Sequence, residues 1–395
     1  MKAAWRGAGP PPKRRMHLAV QPDILTLVTD LSMHKRRLTK ADGRTLLLYG
    51  RAPIPEGLTA PSPGGPAGVA PDAHLRWHPL RGEWVAYASH RQNRTFLPPP
   101  EYNPLAVTTD AENPTEVPAG TWDVAVFENL FPTLTMAAHD PPHLAVPTEP
   151  GKGVWEVVVF TQDTSASLGR LPLWHLELLI EVWADRYTEL GDRPEVQYVY
   201  PFENRGVEVG VTLHHPHGQL YAYPFIPPVP ARELEQQRAY YERHGRGLLE
   251  DFVAREVSDG VRMLYDGPAA AAFVPICGRY TYEVWVAPKR PAGSFAALEP
   301  AERRDFARAL KTVLMKYDGL WQRPFPYILA FHQAPTDGRA HPEAHLHAEV
   351  YPAFRMPGRL KYLAGSEIGA GVFTADTLPE QKVEELQAVA VDIDA

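Results

Sequence analysis

The chain has 395 residues, is 44% hydrophobic and 22% charged, and carries a net charge of −7. This is ordinary globular composition with length for two or three domains, and the acidic balance excludes a general nucleic-acid binder, which is usually basic. Cys277 is the only cysteine, so an intrachain disulfide and a Cys-based zinc site are excluded, and with no membrane-length apolar run and no secretory apolar core behind the basic N-terminus, a soluble cytoplasmic protein is expected.

In chain order, residues 1 to about 20 read as a loosely attached arm. A short strand is expected at Leu46–Tyr49, and the Pro, Gly and Ala of residues 52–73 read as a linker. Folded material resumes at His74. Trp84–Tyr87 reads as a strand, followed by Arg91 and Arg94, three apart. Two such arginines suit a phosphate clamp; a solvated loop is the plainer alternative. Asp123–Phe127 is a strand ending at Glu128-Asn129, and Val157–Phe160 is a buried strand by its β-branched run. A helix is expected from about Leu173 to Leu190, with Leu176, Leu179, Trp183, Tyr187 and Leu190 at spacings of three and four. Val196–Tyr200 is a strand that delivers Phe202-Glu203-Asn204.

Next comes His214-His215-Pro216-His217-Gly218-Gln219. On a strand, His215 and His217 project from one face, and Pro216 suits a strand end or sheet edge. The spacing holds one imidazole near a backbone carbonyl two residues away. A ring nitrogen that donates there leaves the other unprotonated, as a histidine nucleophile requires. Spacing alone leaves three readings open: metal ligands, catalysis, or satisfied polar residues.

Leu220–Phe225 finishes this strand, prolines 227, 228 and 230 break the chain, and residues 232 to about 256 read as one charged helix. The order then recurs. Ala272–Pro275 and Tyr282–Val286 are strands, a helix opens at Leu298 with apolar positions Phe306, Leu310, Val313, Leu314 and Tyr317, and Tyr327–Phe331 is the next strand. His345-Leu346-His347-Ala348-Glu349-Val350-Tyr351 parallels His215–Tyr221. The offset is 127 residues at Glu156/Glu283 and 130 at the histidine pairs. This internal duplication implies two copies of one unit in an α+β body with an antiparallel sheet. The expected organisation is residues 1–73 as arm and linker, 74–230 as the first repeat, and 231–395 as a connecting helix with a second, degenerate repeat.

Phe202-Glu203-Asn204-x-Gly206, then Gly210, Thr212 and His215-Pro216-His217-Gly218-Gln219, resembles the active-site signature of the galactose-1-phosphate uridylyltransferase family, in the histidine-triad superfamily. The likeness continues more loosely from about Trp77 to about Glu367. It implies two fused histidine-triad repeats with packed helices and a homodimer. It also implies UMP exchange between UDP-glucose and galactose 1-phosphate, in galactose metabolism, by ping-pong kinetics through a uridylyl-histidine. Carried onto this sequence, His217 is the nucleophile and the His215 carbonyl holds its tautomer. Gln219 donates an amide hydrogen to phosphate oxygens. Histidine-triad hydrolases usually have a third histidine at that position, so Gln219 favours transfer over hydrolysis.

The resemblance also assigns substrate contacts to Asn204, Gly210, Thr212 and Asn129, to Arg91 and Arg94 reaching in from a partner subunit, and to Lys361 and Glu367 at the hexose. Taken by themselves, Gly210 suits close backbone approach or a turn, and Asn204 suits an Asx-turn. Some family members bind zinc through Cys-x-x-Cys, a further histidine and the first His of His-Pro-His. This chain lacks the cysteines and has Thr164 at the further histidine's place, so that site is expected to be absent. A second family site corresponds to Glu233, His332, His347 and Glu349, a set that suits zinc or iron; His341 and His345 are spare candidates. Three other functions stay open: a nucleotidyltransferase or phosphorylase acting on ADP-sugars or dinucleoside polyphosphates, a metal-dependent hydrolase with His215, His217, His345 and His347 as ligands, and a noncatalytic nucleotide-binding protein.

Overall fold

The structure, a computed structural model, describes residues 32–64, 73–93 and 102–394; the N-terminal arm and Arg94 lie outside them. Its centre is an 11-stranded sheet. The strands are β1 (His34–Thr39), β2 (Thr45–Gly50), β3 (Val124–Glu128), β4 (Val154–Val159), β5 (Tyr198–Arg205), β6 (His217–Tyr223), β7 (Met263–Asp266), β8 (Ala270–Phe273), β9 (Val284–Pro288), β10 (Tyr327–His332) and β11 (His347–Pro352). They pair antiparallel in the order β1-β2-β3-β4-β6-β5-β10-β11-β9-β8-β7.

That order is symmetrical about the β5–β10 seam. Reading outward gives β5, β6, β4, β3, β2 on one side and β10, β11, β9, β8, β7 on the other. The duplication read in the sequence is therefore a pseudo-two-fold axis through the sheet, beside the pair Phe202–Ala330.

One face carries helices α1 (Leu173–Gly191) and α4 (Pro300–Leu320). The expected stripe of α1 is buried at Leu176, Leu179, Trp183 and Leu190, and Trp183 packs against Phe160, Phe295 and Phe331. Each such buried side chain contributes roughly 1.5–3 kcal/mol. Pro300 begins α4, and Glu302 bonds the Glu299 N–H at 2.8 Å, so the first turn is closed by its own sequence. Arg186 of α1 grips Glu156 of β4 by two bonds of 2.8 and 2.9 Å, both side chains buried. Removing one partner of such a pair leaves an uncompensated charge, at a cost of roughly 3–5 kcal/mol. The pair fixes the helix on the strand that flanks β6.

The opposite face is more open. Strand β6 alternates strictly: Gly218, Leu220 and Ala222 are buried under the helices, while His217, Gln219, Tyr221 and Tyr223 are half-buried on the other side. Period-two alternation thus delivers the chemistry-bearing residues to one surface.

Three expectations change. A boundary at residue 73 does not match the pairing, because β1 and β2 extend the main sheet through β3. Leu46, Leu47 and Leu48 are fully buried, which explains the continuous apolar run. The charged helix of 232–256 is two helices, α2 (Pro228–His244) and α3 (Leu248–Asp259). Gly245, at φ +67°, caps the first in the left-handed conformation. His215 precedes β6 rather than lying on it, so the two histidines do not share a strand face.

Candidate active site

The turn before β6 sets the geometry of His217. His217 Nδ1 lies 2.7 Å from the His215 carbonyl oxygen. A carbonyl only accepts, so Nδ1 carries the proton and Nε2 keeps its lone pair. Burial holds the His217 ring below the ordinary histidine pKa, opposed by this carbonyl and aided by the nearby His215. The ring is a neutral imidazole with one nitrogen offered.

Gly218 is required where it stands. A Cβ there would meet the Phe160 ring at 2.8 Å and the Phe202 carbonyl at 2.9 Å. Next, the Gln219 side-chain oxygen accepts from Trp155 Nε1 at 3.0 Å and from the Tyr221 hydroxyl at 2.7 Å. With its oxygen taken twice, the amide presents its N–H₂ end as the donor.

These residues open on a cavity of about 610 Å³ lined by His217, Gln219, Asn204, Gly210, Thr212, Arg91 and Asn129. Seven sequence-derived candidates therefore converge. Asn204 and Phe202 face the cavity, whereas Glu203 points to the helical side. There Tyr327 bonds it at 2.9 Å, and burial raises its carboxyl to about 7 despite nearby Arg205. The middle residue of that motif is structural. Gly210 sits at φ +82° in a turn at the cavity, and a Cβ added there would meet no protein atom within 4 Å. Arg91 donates to the Phe131 carbonyl at 2.7 Å and lies over the Trp155 ring at 4.3 Å. It lines the cavity of its own chain. Asn129 accepts the Phe131 N–H at 2.8 Å, an Asx-turn at the cavity wall.

Sequence reasoning missed the far wall. Pro63, Gly64, Tyr102, Pro104, Leu105 and Glu116 complete the cavity. Lys40 bonds the Glu116 carboxylate at 2.6 Å and the Pro61 carbonyl at 3.0 Å, tying the segment read as a linker to that wall. A lysine three residues before a glycine turn carried no signal for this role.

Lys361 and Glu367 do not join the cavity of their own chain. Lys361 donates to the Thr374 carbonyl at 2.8 Å, and Glu367 accepts from the Ala364 N–H at 3.1 Å and the Thr374 hydroxyl at 3.1 Å. Main-chain N–H groups, its own and that of Ala364, hold Glu367 down to about 2.

The second histidine pair repeats the device: His347 Nδ1 donates to the His345 carbonyl at 2.9 Å. Here it faces a ligand set instead of a cavity. Donor atoms of Glu233, His332 and His347 all lie within 4.8 Å of one another, so this group can hold a metal ion. Two imidazoles and a carboxylate fit a borderline divalent cation. Glu349 lies beside the group rather than in it. One oxygen is 3.7 Å from His347 Nε2, while the other is held by Tyr351 and by Arg279 at 3.2 Å. His341 is held by Asp337 at 2.9 Å, and His345 bonds the Pro288 carbonyl at 2.9 Å. The four-histidine metal site does not form. β6 and β11 are separated by β5 and β10, roughly 14 Å at about 4.8 Å per strand.

The pattern described as galactose-1-phosphate uridyl transferase, N-terminal domain, matches residues 69–227, and its C-terminal counterpart matches 233–394. A galactose-1-phosphate uridylyltransferase of Thermotoga maritima is 35% identical over 326 residues, 81% of this chain and 99% of that protein. One from Streptomyces lividans is 33% identical over 387 residues, 91% of this chain and 98% of its own length. Among solved structures, one described as uridylyltransferase superposes with a TM-score of 0.72 at 31% identity, covering 80% of this chain and 98% of that one.

Proposed function

The chain belongs to the galactose-1-phosphate uridylyltransferase family, and on that premise we propose that it transfers UMP from UDP-glucose to galactose 1-phosphate through a uridylyl group on His217. The observation that carries this reading is the His217 ring itself, neutral, held through Nδ1 and offering Nε2 beside the Gln219 amide in a cavity of nucleotide size.

In the first step His217 Nε2 attacks the α-phosphorus of UDP-glucose. The bond from phosphorus to the bridging oxygen breaks, and glucose 1-phosphate leaves as a stable anion. The imidazolium that forms keeps its Nδ1 proton on the His215 carbonyl. In the second step the phosphate oxygen of galactose 1-phosphate attacks the same phosphorus, the P–N bond breaks, and the neutral ring returns. Covalent catalysis divides one transfer into two easier ones. The Gln219 amide stabilises charge on the nonbridging oxygens. It supplies no base to activate water, which supports transfer over hydrolysis.

Glu233, His332 and His347 would hold a zinc or iron ion, which in this position serves structure by joining α2 to β10 and β11. No step uses it. The active unit is read as a homodimer. The segment carrying Lys361 and Glu367 exposes Tyr362, Leu363, Ile368 and Val372, apolar surface that a second copy would cover while bringing Lys361 and Glu367 to the hexose end of its cavity.

The test is intact-protein mass after brief incubation with UDP-glucose and no acceptor. The expected result is a gain of one uridylyl group, lost on adding galactose 1-phosphate and absent in His217→Ala. An adduct only with an ADP-sugar donor would move the substrate class. No adduct with any donor in a folded protein would overturn the covalent reading.

A further inference from the structure

The structure holds the His215 ring more tightly than a strand end requires. Asn103 Oδ1 accepts the Leu105 N–H at 3.0 Å. Its amide oxygen is thus committed, so the group facing His215 is the N–H₂, with Nδ2 at 3.2 Å from His215 Nδ1. An amide N–H only donates, so His215 Nδ1 accepts and carries no proton. The ring's one proton is then on Nε2, which lies 2.7 Å from the Thr161 carbonyl. Both ring nitrogens are satisfied, with opposite polarity, by two different loops. The carbonyl of this same residue receives the His217 Nδ1 proton.

The second repeat supplies a comparison within the molecule. His345 donates from Nε2 to the Pro288 carbonyl at 2.9 Å, as His215 does to Thr161, but its Nδ1 is buried without a hydrogen-bond partner among the described residues. Among the described residues, the amide clamp exists only in the copy that faces the cavity. The loop that bears it also forms the cavity wall, since Tyr102, Pro104 and Leu105 all line it.

We propose that Asn103 is a positioning residue for uridylyl transfer: its amide locks His215 as the Nε2–H tautomer, and it links the cavity wall at residues 102–105 to the carbonyl that aims His217. The catalytic part of this rests on the function proposed above; the tautomer does not. The first histidine of the motif is held by a side-chain amide on one ring nitrogen and a main-chain carbonyl on the other. At metal sites, outer partners that fix a histidine's tautomer and ring orientation alter affinity or activity about 10–100-fold when removed, and the low end of that range sets the scale here.

The experiment compares wild type, Asn103→Ala and Asn103→Asp by nitrogen NMR of the imidazoles in ¹⁵N-histidine-labelled protein and by steady-state kinetics with UDP-glucose. Asp keeps an oxygen for the Leu105 turn but turns an acceptor toward His215 Nδ1. Wild type is expected to show His215 with an unprotonated Nδ1. Asn103→Ala should show mixed tautomers, and Asn103→Asp a protonated Nδ1. In both variants kcat should fall about tenfold, with KM for UDP-glucose within about twofold of wild type. A wild-type His215 carrying its proton on Nδ1 would overturn the proposal. So would an Asn103→Ala protein whose His215 signals and kcat match wild type, or one in which only KM moves. If wild-type protein forms no uridylyl adduct, the functional reading fails, and the nitrogen signals still decide the tautomer.

Discussion

Asn204 and His332 occupy one position twice. Each lies two residues beyond the Phe202–Ala330 pair at the seam. Each stands across from the second histidine of its His-x-His pair, His332 opposite His347 directly and Asn204 opposite His217 by continuing the Phe202–Gln219 register. In one copy this place faces an open cavity; in the other it belongs to a cluster of metal-type donors.

That separation predicts independent behaviour. Replacing His332 with Ala should abolish bound metal, measured by elemental analysis of purified protein, and lower Tm by a few degrees. The rate of uridylyl adduct formation should stay within about threefold of wild type. Adduct formation that vanishes together with the metal would show that the two sites are coupled in the chemistry.

Tyr221 and Trp155 hold the Gln219 oxygen together. Tyr221→Phe removes one of these donors without changing the ring. One hydrogen bond of about 1 kcal/mol corresponds to roughly a fivefold loss in kcat. The loss should appear in both half-reactions, because both develop charge on the same phosphoryl oxygens. Stopped-flow rates for adduct formation and for its discharge would check this; a defect confined to one half-reaction would contradict it.

Gly218→Ala is expected to act on two levels. The added methyl meets the Phe202 carbonyl, main chain that cannot yield as a side-chain tip can. Overpacking of this kind costs about 1–3 kcal/mol, measurable by denaturant unfolding. Activity should fall further than stability, since any shift of β6 at Gly218 displaces the flanking His217 and Gln219, which both line the cavity.

The pH dependence of adduct formation follows from burial. A charged imidazole is disfavoured in the half-buried site, so the neutral nucleophile persists to lower pH than in a free histidine. The acid limb of the single-turnover rate should therefore lie below the ordinary histidine value of 6.5. A limb above that value would mean that a neighbouring acceptor outweighs desolvation.

The parts of this enzyme that were legible in its sequence are those with short-range periodicity. The alternation of β6, the stripe of α1 and the repeated His-x-His each announce themselves within a few residues. The β1–β2 hairpin was harder to place, because Thr45–Gly50 is buried on both faces and shows no alternation. The split between α2 and α3 depends on the conformation of one glycine, Gly245. Asn103 and Lys40 gave no signal at all. Each lies in a loop or at a strand end where its type suits many roles, and its partner is far along the chain, 112 residues away for His215 and 76 for Glu116. Lys361 and Glu367 carry a recognisable motif, yet within one chain they only brace their own loop.

The ring-to-carbonyl bond of His217 recurs at His347, although one ring faces the cavity and the other a cluster of metal-type donors. The two tasks ask the same thing of an imidazole: stay uncharged and offer one lone pair in a fixed direction. A duplicated chain could therefore divide its labour by altering the surroundings alone. Asn204 against His332, and Gln219 against Glu349, mark where that divergence was written, while the inherited turn beneath them was left as it was.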